Sequence, residues 1–191
     1  MKNILKNRKA LSTVVTTLII LVVSVLLAGV VTYFAINVTS TRVQEESLNL
    51  TYQHVWYNTA ENFAEAAIMI TNTGGRDVVL QKIAIRGQTV PTVNIFYVVP
   101  TNIVDLPYVL QTPAIANGTA APAVLGTGLS FTQAQTAVVL PSGTTIAVYI
   151  SGTATYAAGS VTVNDVGLTI AVSIFTAQAT YYKETNVNAA Y

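Results

Sequence analysis

The chain holds one histidine, His54, and no cysteine. Hydrolysis of the Ser–His–Asp kind needs an imidazole to take the serine proton and a carboxylate to orient it. Any such set here must be built on His54, and its neighbours Tyr52, Gln53, Val55 and Trp56 supply neither serine nor acid. His54 therefore reads as a packing or surface residue. The missing cysteines exclude thiolate metal sites, and a single histidine excludes a His-rich one. Asp77, Asp105 and Asp165 stand singly, whereas a calcium loop gathers its carboxylates within a dozen residues; each reads as a turn residue. These residues predict no catalytic group, no metal and no cofactor, hence no enzyme. The remaining chemistry is glycosylation, at Asn37-Val-Thr, Asn49-Leu-Thr and Asn117-Gly-Thr. Three such triplets are about what chance supplies at this Asn, Ser and Thr content, so context must rank them. Asn117 lies in a Pro/Gly-rich stretch and is the best acceptor, with Asn49 a second candidate. Asn37 ends an apolar run and is expected to be buried.

Residues 11–40 (LSTVVTTLIILVVSVLLAGVVTYFAINVTS) carry no charge, and the ten before them (MKNILKNRKA) carry Lys2, Lys6, Arg8 and Lys9. Thirty residues at 1.5 Å each make a helix of roughly 45 Å, against a hydrocarbon core of about 30 Å. The segment is apolar all round. In lipid its backbone has no hydrogen-bonding partner but itself, so a helix is enforced despite the Val, Ile and Thr content. Thr13, Thr16, Thr17, Ser24 and Thr32 are placed to bond carbonyls one turn back. Gly29 allows either close helix packing or a local bend. The basic flank keeps the N-terminus cytoplasmic and the rest of the chain outside. An ordinary secretory signal fits poorly, because its apolar core spans only about 7–15 residues and precedes a small-residue cleavage site. Here the small residue, Ala10, precedes the run.

The helix is expected to continue past the membrane. Residues 41–57 (TRVQEESLNLTYQHVWY) contain no Gly or Pro, and Val43, Leu48, Leu50, Val55 and Trp56 are placed to face a head domain while Arg42, Glu45 and Glu46 face solvent. The rod from residue 11 to 57 would be about 70 Å long. The expected organisation is a leader over 1–10, a helix over 11–57 and an all-β head over 58–191. Within the head, strand composition bounded by turn residues marks 66–72, 78–86, 92–99, 137–140, 144–151 and a long run over 166–183. Thr73-Gly74-Gly75-Arg76-Asp77 is a turn between two strands. Pro141-Ser142-Gly143 is another, predicting a hairpin over 136–151. The last run is too long for one strand, so a bulge or break is expected near 176–179. Short strands at regular spacing predict a β-sandwich. Residues 100–130, with Pro100, Pro107, Pro113, Pro122, Gly118, Gly126 and Gly128, predict a long irregular connection. It is either functional or a decorative insertion.

Charged residues make up 9% of the chain, against about 25% in a typical soluble domain. From residue 58 onward there are ten in 134. Such a surface is covered by neighbours or kept soluble by neutral polar groups or sugar. Without the first ten residues the side-chain balance falls to −3, so no basic patch remains for nucleic acid.

The junction Arg8-Lys9-Ala10 followed by Leu11-Ser12-Thr13 resembles the class III leader of archaeal type IV pilins. Leader charge, junction and uninterrupted apolar run all agree over residues 1–45. The fifth residue after the junction is Val15, where bacterial type IV pilins carry a glutamate; the departure is similar to the archaeal branch. Residues 68–87 (IMITNTGGRDVVLQKIAIRG) also resemble the strand–turn–strand opening of archaeal pilin and archaellin heads, which are immunoglobulin-like. The resemblance implies an α+β chain, a long helix followed by an immunoglobulin-like sandwich. It implies cleavage by a prepilin peptidase between Ala10 and Leu11, and a membrane-held precursor. It further implies a homopolymer assembled by a membrane platform and its ATPase, with Leu18, Leu21, Val25, Leu26, Val30 and Phe34 in the filament core. The function implied is that of an extracellular adhesive pilus subunit. An archaellin-type motility filament subunit, and a membrane-anchored extracellular binding module with an immunoglobulin-like head, are the alternatives.

Overall fold

The computed structural model describes residues 3–43, 45–109, 115, 117–153 and 161–190. The chain divides into two compact units, Met1–Gln44 and Glu45–Tyr191. The first is one helix, α1, Asn3–Val43. Its 41 residues give a length of about 60 Å. The stretch Leu11–Thr41 is 31 residues long with a mean hydropathy of 2.9, long and apolar enough to cross a membrane.

The helix stops at Val43, not at Tyr57. Residues 48–57, expected to be helical, belong to the first strand of the head. The head comprises β1 (Leu48–Asn58), β2 (Phe63–Asn72), β3 (Val78–Ile85), β4 (Gln88–Thr89), β5 (Ile95–Val98), β6 (Thr132–Gln133), β7 (Val138–Leu140), β8 (Thr145–Thr153), β9 (Thr169–Thr176) and β10 (Thr180–Ala190). The reason β1 escaped a period-two reading is a bulge. Thr51 faces Met69 and His54 faces Ala67, so Tyr52 and Gln53 together stand opposite Ile68. Tyr52 takes a left-handed φ of 52°, an uncommon conformation for a bulky residue. The extra residue switches the inward side from Leu48 and Leu50 to Val55 and Tyr57, because a one-residue slip exchanges the faces of a strand. Without Gly or Pro and with broken alternation, the segment mimics a helix. Glu46, expected to face solvent on that helix, instead accepts a hydrogen bond from the Thr176 hydroxyl.

The strands run in the order β4-β3-β9-β10-β1-β2-β8-β5-β6, with β7 beside β3. Strands β1, β2, β8 and β5 occupy the positions of A, B, E and D in an immunoglobulin sandwich, and β3, β4, β9 and β10 those of C, C′, F and G. The two layers are joined at one edge. The first part of β10 pairs antiparallel with β9, and its end, Val187 to Ala190, pairs parallel with Val55 to Asn58 of β1. The chain is therefore α+β, a long apolar helix and a β-rich head. The break expected near 176–179 is the β9–β10 turn, where the Thr176 Oγ1 accepts the Ala179 N–H at 3.0 Å. The expected hairpin over 136–151 does not form. Strand β7 pairs with β3 and β8 with β2 and β5, so the Pro141-Ser142-Gly143 turn crosses between layers.

The main core lies between the layers, with Leu48, Val55, Ile68 and Ile70 on one side and Leu80, Ile85, Val172 and Ile174 on the other. A second cluster lies on the outer face of β2, β8 and β5, where Met69, Phe96 and Tyr149 are covered by Leu106, Val109, Leu125 and Phe131. The described part of the connection over 100–130 is thus the roof of a second core and no decoration, while residues 110–114 and 116 lie outside the described residues.

The turn after β2 is clasped by the start of the head: Thr73 and Gly74 both donate their N–H to the Ser47 carbonyl. A Cβ on Gly74 would lie 2.7 Å from both the Glu45 carbonyl oxygen and the Ser47 nitrogen, and backbone cannot swing aside. Gly74→Ala is therefore expected to cost about 1–3 kcal/mol. Gly29, with nothing within 4 Å of its added Cβ, should accept Ala with a neutral or favourable effect of up to about 1 kcal/mol on the helix. Denaturant unfolding of the full chain in detergent, followed by Trp56 fluorescence and circular dichroism, checks both.

Candidate functional site

Two surfaces stand out, one on each unit. On α1, Leu18, Leu21, Val25, Leu26, Val30 and Phe34 are between 60% and 69% exposed, and none of the apolar stretch is buried. Leu18, Leu21 and Val25, and again Leu26, Val30 and Phe34, recur at helical neighbour spacings, but the surface is apolar on every side. Six hydroxyls along it are bonded within the helix. Thr16 donates to the Ser12 carbonyl, Ser24 to Ile20, Thr32 to Ala28, Thr39 to Ala35 and Thr41 to Asn37, at 2.7–2.9 Å. Thr17 donates to Val14. A hydroxyl that already donates to its own helix is cheap to place in lipid or between helices. Lys6, Arg8, Lys9, Ala10 and Leu11 all lie within the helical backbone. Lys2 lies outside the described residues.

On the head, the roof of the second core is tied down by polar side chains that converge from three strands. His54 Nε2 lies 2.6 Å from Asp105 Oδ1. The Tyr149 hydroxyl donates to the Pro107 carbonyl at 2.9 Å. Asn58 Nδ2 donates to the Tyr108 hydroxyl at 3.3 Å. The Val109 N–H donates to Glu65 Oε1 at 2.8 Å. Trp56 lies between rings, stacked on His54 at 5.1 Å and tilted against Tyr108 at 5.7 Å. His54 is thus a packing residue on a strand, with an acid partner 51 positions away in sequence. No serine hydroxyl is bonded to it among the described residues.

Glu65 is the member of this group that sequence inspection missed. It is fully buried in the run Phe63-Ala64-Glu65-Ala66-Ala67-Ile68-Met69-Ile70, every residue of which is buried. An acid inside such a run is itself the signal. Burial pushes its carboxyl up to about 8, with the Val109 N–H pulling the other way. Tyr149 is pushed up by burial and then by the Glu65 and Asp105 carboxylates. Tyr108 is also raised, first by burial, with the Asn58 bond opposing and Glu65 and Glu61 adding.

The other acids hold turns, as their spacing suggested. Asp77 Oδ1 accepts the Ser142 N–H at 3.1 Å. Asp165 is buried and closes a reciprocal cap with Thr162 on the short turn Val163–Asp165, while Arg86 Nη1 donates to it at 2.8 Å. Of the glycosylation candidates, Asn117 and Asn49 are exposed, and Asn117 Oδ1 accepts the Gln133 N–H at 3.1 Å. Asn37 is also exposed on the single helix, contrary to the burial expected of it; that burial would require neighbours. No family model matches this chain, and no curated protein matches it.

The Thr162 N–H chiefly holds the Asp165 carboxyl below its usual range, with the Thr162 hydroxyl and the Arg86 guanidinium assisting and burial opposing. A depressed pKa gives stability that is present above the unfolded value of 3.8 and is lost as pH falls through the lower folded value. Asp165→Ala should therefore cost about 1–2 kcal/mol near neutral pH, the loss of a cap and a charged hydrogen bond. The gap from the unchanged protein should close in strong acid. Thermal melts of both chains at pH 7 and pH 2 test the sign.

Proposed function

We propose that this chain is the structural subunit of an archaeal type IV adhesive pilus, polymerising through α1 with the β-head on the filament surface. The observation that supports it most is the helix. A stretch of 31 uncharged residues with mean hydropathy 2.9 and no burial follows a leader with four basic residues, and residues 44–47 alone separate α1 from β1. Before assembly lipid covers such a surface, with the basic leader in the cytoplasm and the head outside. A prepilin peptidase removes residues 1–10 at the Ala10–Leu11 bond. The helices then leave the bilayer and pack on copies of themselves, driven by an assembly platform and its ATPase. Lipid tails are as apolar as Leu, so the exchange gains little from the hydrophobic effect and relies on close packing. Side chains at Leu18, Leu21, Val25, Leu26, Val30 and Phe34 make those contacts, and the small Gly29 lets backbones approach. The head supplies a low-charge outer surface, on which exposed Asn117 and Asn49 are the acceptors for glycan.

The mature subunit is expected to begin at Leu11. The intact mass of the protein recovered from sheared surface filaments checks this; a mass that retains residues 1–10, or no filament containing the chain, overturns the reading in favour of a membrane-anchored module. A charge in mid-helix should be worse than one in the head. Leu21→Lys sets an ammonium where lipid or helix must surround it, at roughly 2.5–3.5 kcal/mol per subunit, and each subunit of a filament repeats that cost. Leu21→Lys should abolish filaments, whereas Thr127→Lys, at an exposed turn, should leave their yield unchanged. Normal filaments from processed Leu21→Lys subunits would sink the proposal.

A further inference from the structure

Residues 105–109 form a strap that crosses the outer face of β1, β2 and β8. Four side chains of that face hold it: His54 on Asp105, Tyr149 on the Pro107 carbonyl, Asn58 on Tyr108 and Glu65 on the Val109 N–H. Beneath it Ala67, Met69, Phe96, Ala147 and Tyr149 form an apolar bed, into which Leu106 and Val109 pack. Three of the four ties engage neutral partners or an acid at the exposed rim. The fourth, Glu65, is an acid beside the bed, in the row of Trp56 and Ser151, with no exposure.

The surroundings of Glu65 do not suit a carboxylate. Its Oε1 takes the Val109 N–H, but its Oε2 has no partner among the described residues. The residue facing it on β8 is Ser151, whose buried hydroxyl is also without a partner among the described residues. The titratable groups around it are Tyr149 from β8, Tyr108 and Asp105 from the strap, and Glu61 from the β1–β2 turn, which are coupled to it or to one another. None of these is a cation. Among the described residues the basic side chain on this face is His54 on β1, which is taken by Asp105 at 2.6 Å. A buried charge without a counter-charge is far costlier than the same group neutral.

We propose that Glu65 is a proton-operated latch for this strap: the neutral acid lets residues 105–109 seal the apolar face, and loss of its proton to solvent drives the strap off, so that the carboxylate reaches water. The proposal is independent of how α1 is used. The direction follows from linkage. The closed state holds the proton up to about 8, whereas the ordinary value is 4.5. A raised pKa means that the closed strap is fully favoured below about 4.5 and loses its advantage as pH rises to about 8. Over that window the closed-to-open ratio should fall about tenfold per pH unit, then level off.

Hydrogen exchange read by mass spectrometry on the full chain in detergent tests this, as protection factors across pH 5 to pH 9 (about the range set by the two pKa values). Peptides covering Tyr108 and Val109 should lose protection about tenfold per pH unit and level off near pH 8. Peptides from the β9–β10 hairpin, remote from the latch, should stay flat. In Glu65→Gln, which keeps the shape and the acceptor for Val109 without the charge, the strap should be flat as well. Trp56, the single tryptophan, packs on Tyr108 and gives a second readout by its fluorescence. Strap protection that does not vary with pH overturns the proposal, because the charge is then tolerated in place. Strap and hairpin losing protection together overturns it as well, since the event is then global unfolding. An equal pH dependence in Glu65→Gln does the same. The contrast between strap and hairpin in the unchanged protein needs no variant, so it stands even if Glu65→Gln fails to fold.

Discussion

Strand β2 is buried on both faces, and much of the head follows from that. Its eight consecutive buried residues, from Phe63 to Ile70, cannot be satisfied by a two-layer sandwich alone, because a layer covers one face and leaves the other to water. The inner face, with Ile68 and Ile70, meets β3 and β9. The outer face, with Ala67 and Met69, needs a separate cover. The chain supplies it as an irregular excursion between β5 and β6, which carries Leu106, Val109, Leu125 and Phe131 down onto the sheet. Each large apolar side chain buried in this way is worth about 1.5–3 kcal/mol relative to exposure. That is enough to hold a loop whose backbone has little ladder hydrogen bonding of its own.

A cover made of loop must still satisfy its backbone, and the polar side chains under it do that work. The Pro107 carbonyl and the Val109 N–H, which have no strand partner, are met by Tyr149 and Glu65. Within the loop, Thr101 and Asn102 donate their N–H groups to the Leu125 carbonyl, while the Gly118 N–H donates to the Phe131 carbonyl and the Phe131 N–H to the Thr119 carbonyl across its neck. Gly126 takes a φ of 143°, and a Cβ there would meet Thr101 Oγ1 at 2.3 Å. The described Pro and Gly residues, which mark an irregular connection in one dimension, are corners of this cover. Placing an acid beneath that cover is the unusual choice, since a neutral amide could accept the same N–H bond. The acid adds a dependence on protons that an amide cannot have.

The helix presents the opposite problem, an apolar surface with no cover of its own. Six of its hydroxyls are turned back onto carbonyls, and its charges are confined to the leader and to the last residues before the head. It is compatible with lipid over its length. The head has few charges to repel a neighbour.

Several features were legible in the residues alone because they depend on local composition. The helix over the apolar run is dictated by hydropathy and by the absence of proline. The strands over 66–72, 78–86 and 144–151 follow from β-branched runs between turn residues, and the β9–β10 break follows from strand length. Asp77 and Asp165 were readable as turn residues because short acids satisfy nearby N–H groups. The rest depended on partners distant in sequence. The bulge at Tyr52 and Gln53 removed the alternation that would have marked β1, so residues 48–57 read as helix. The turn at Pro141 looked like a hairpin because spacing reports reversal, while the layer that each strand joins is fixed by pairing with β3 or β2. Asp105 and His54, 51 residues apart, meet only because the strap lies over β1. Glu65 marks the limit of the sequence most clearly. Its position in an apolar run shows that it is odd, but its protonation depends on the strap overhead, because the cost of a buried charge is set by everything that surrounds it in space.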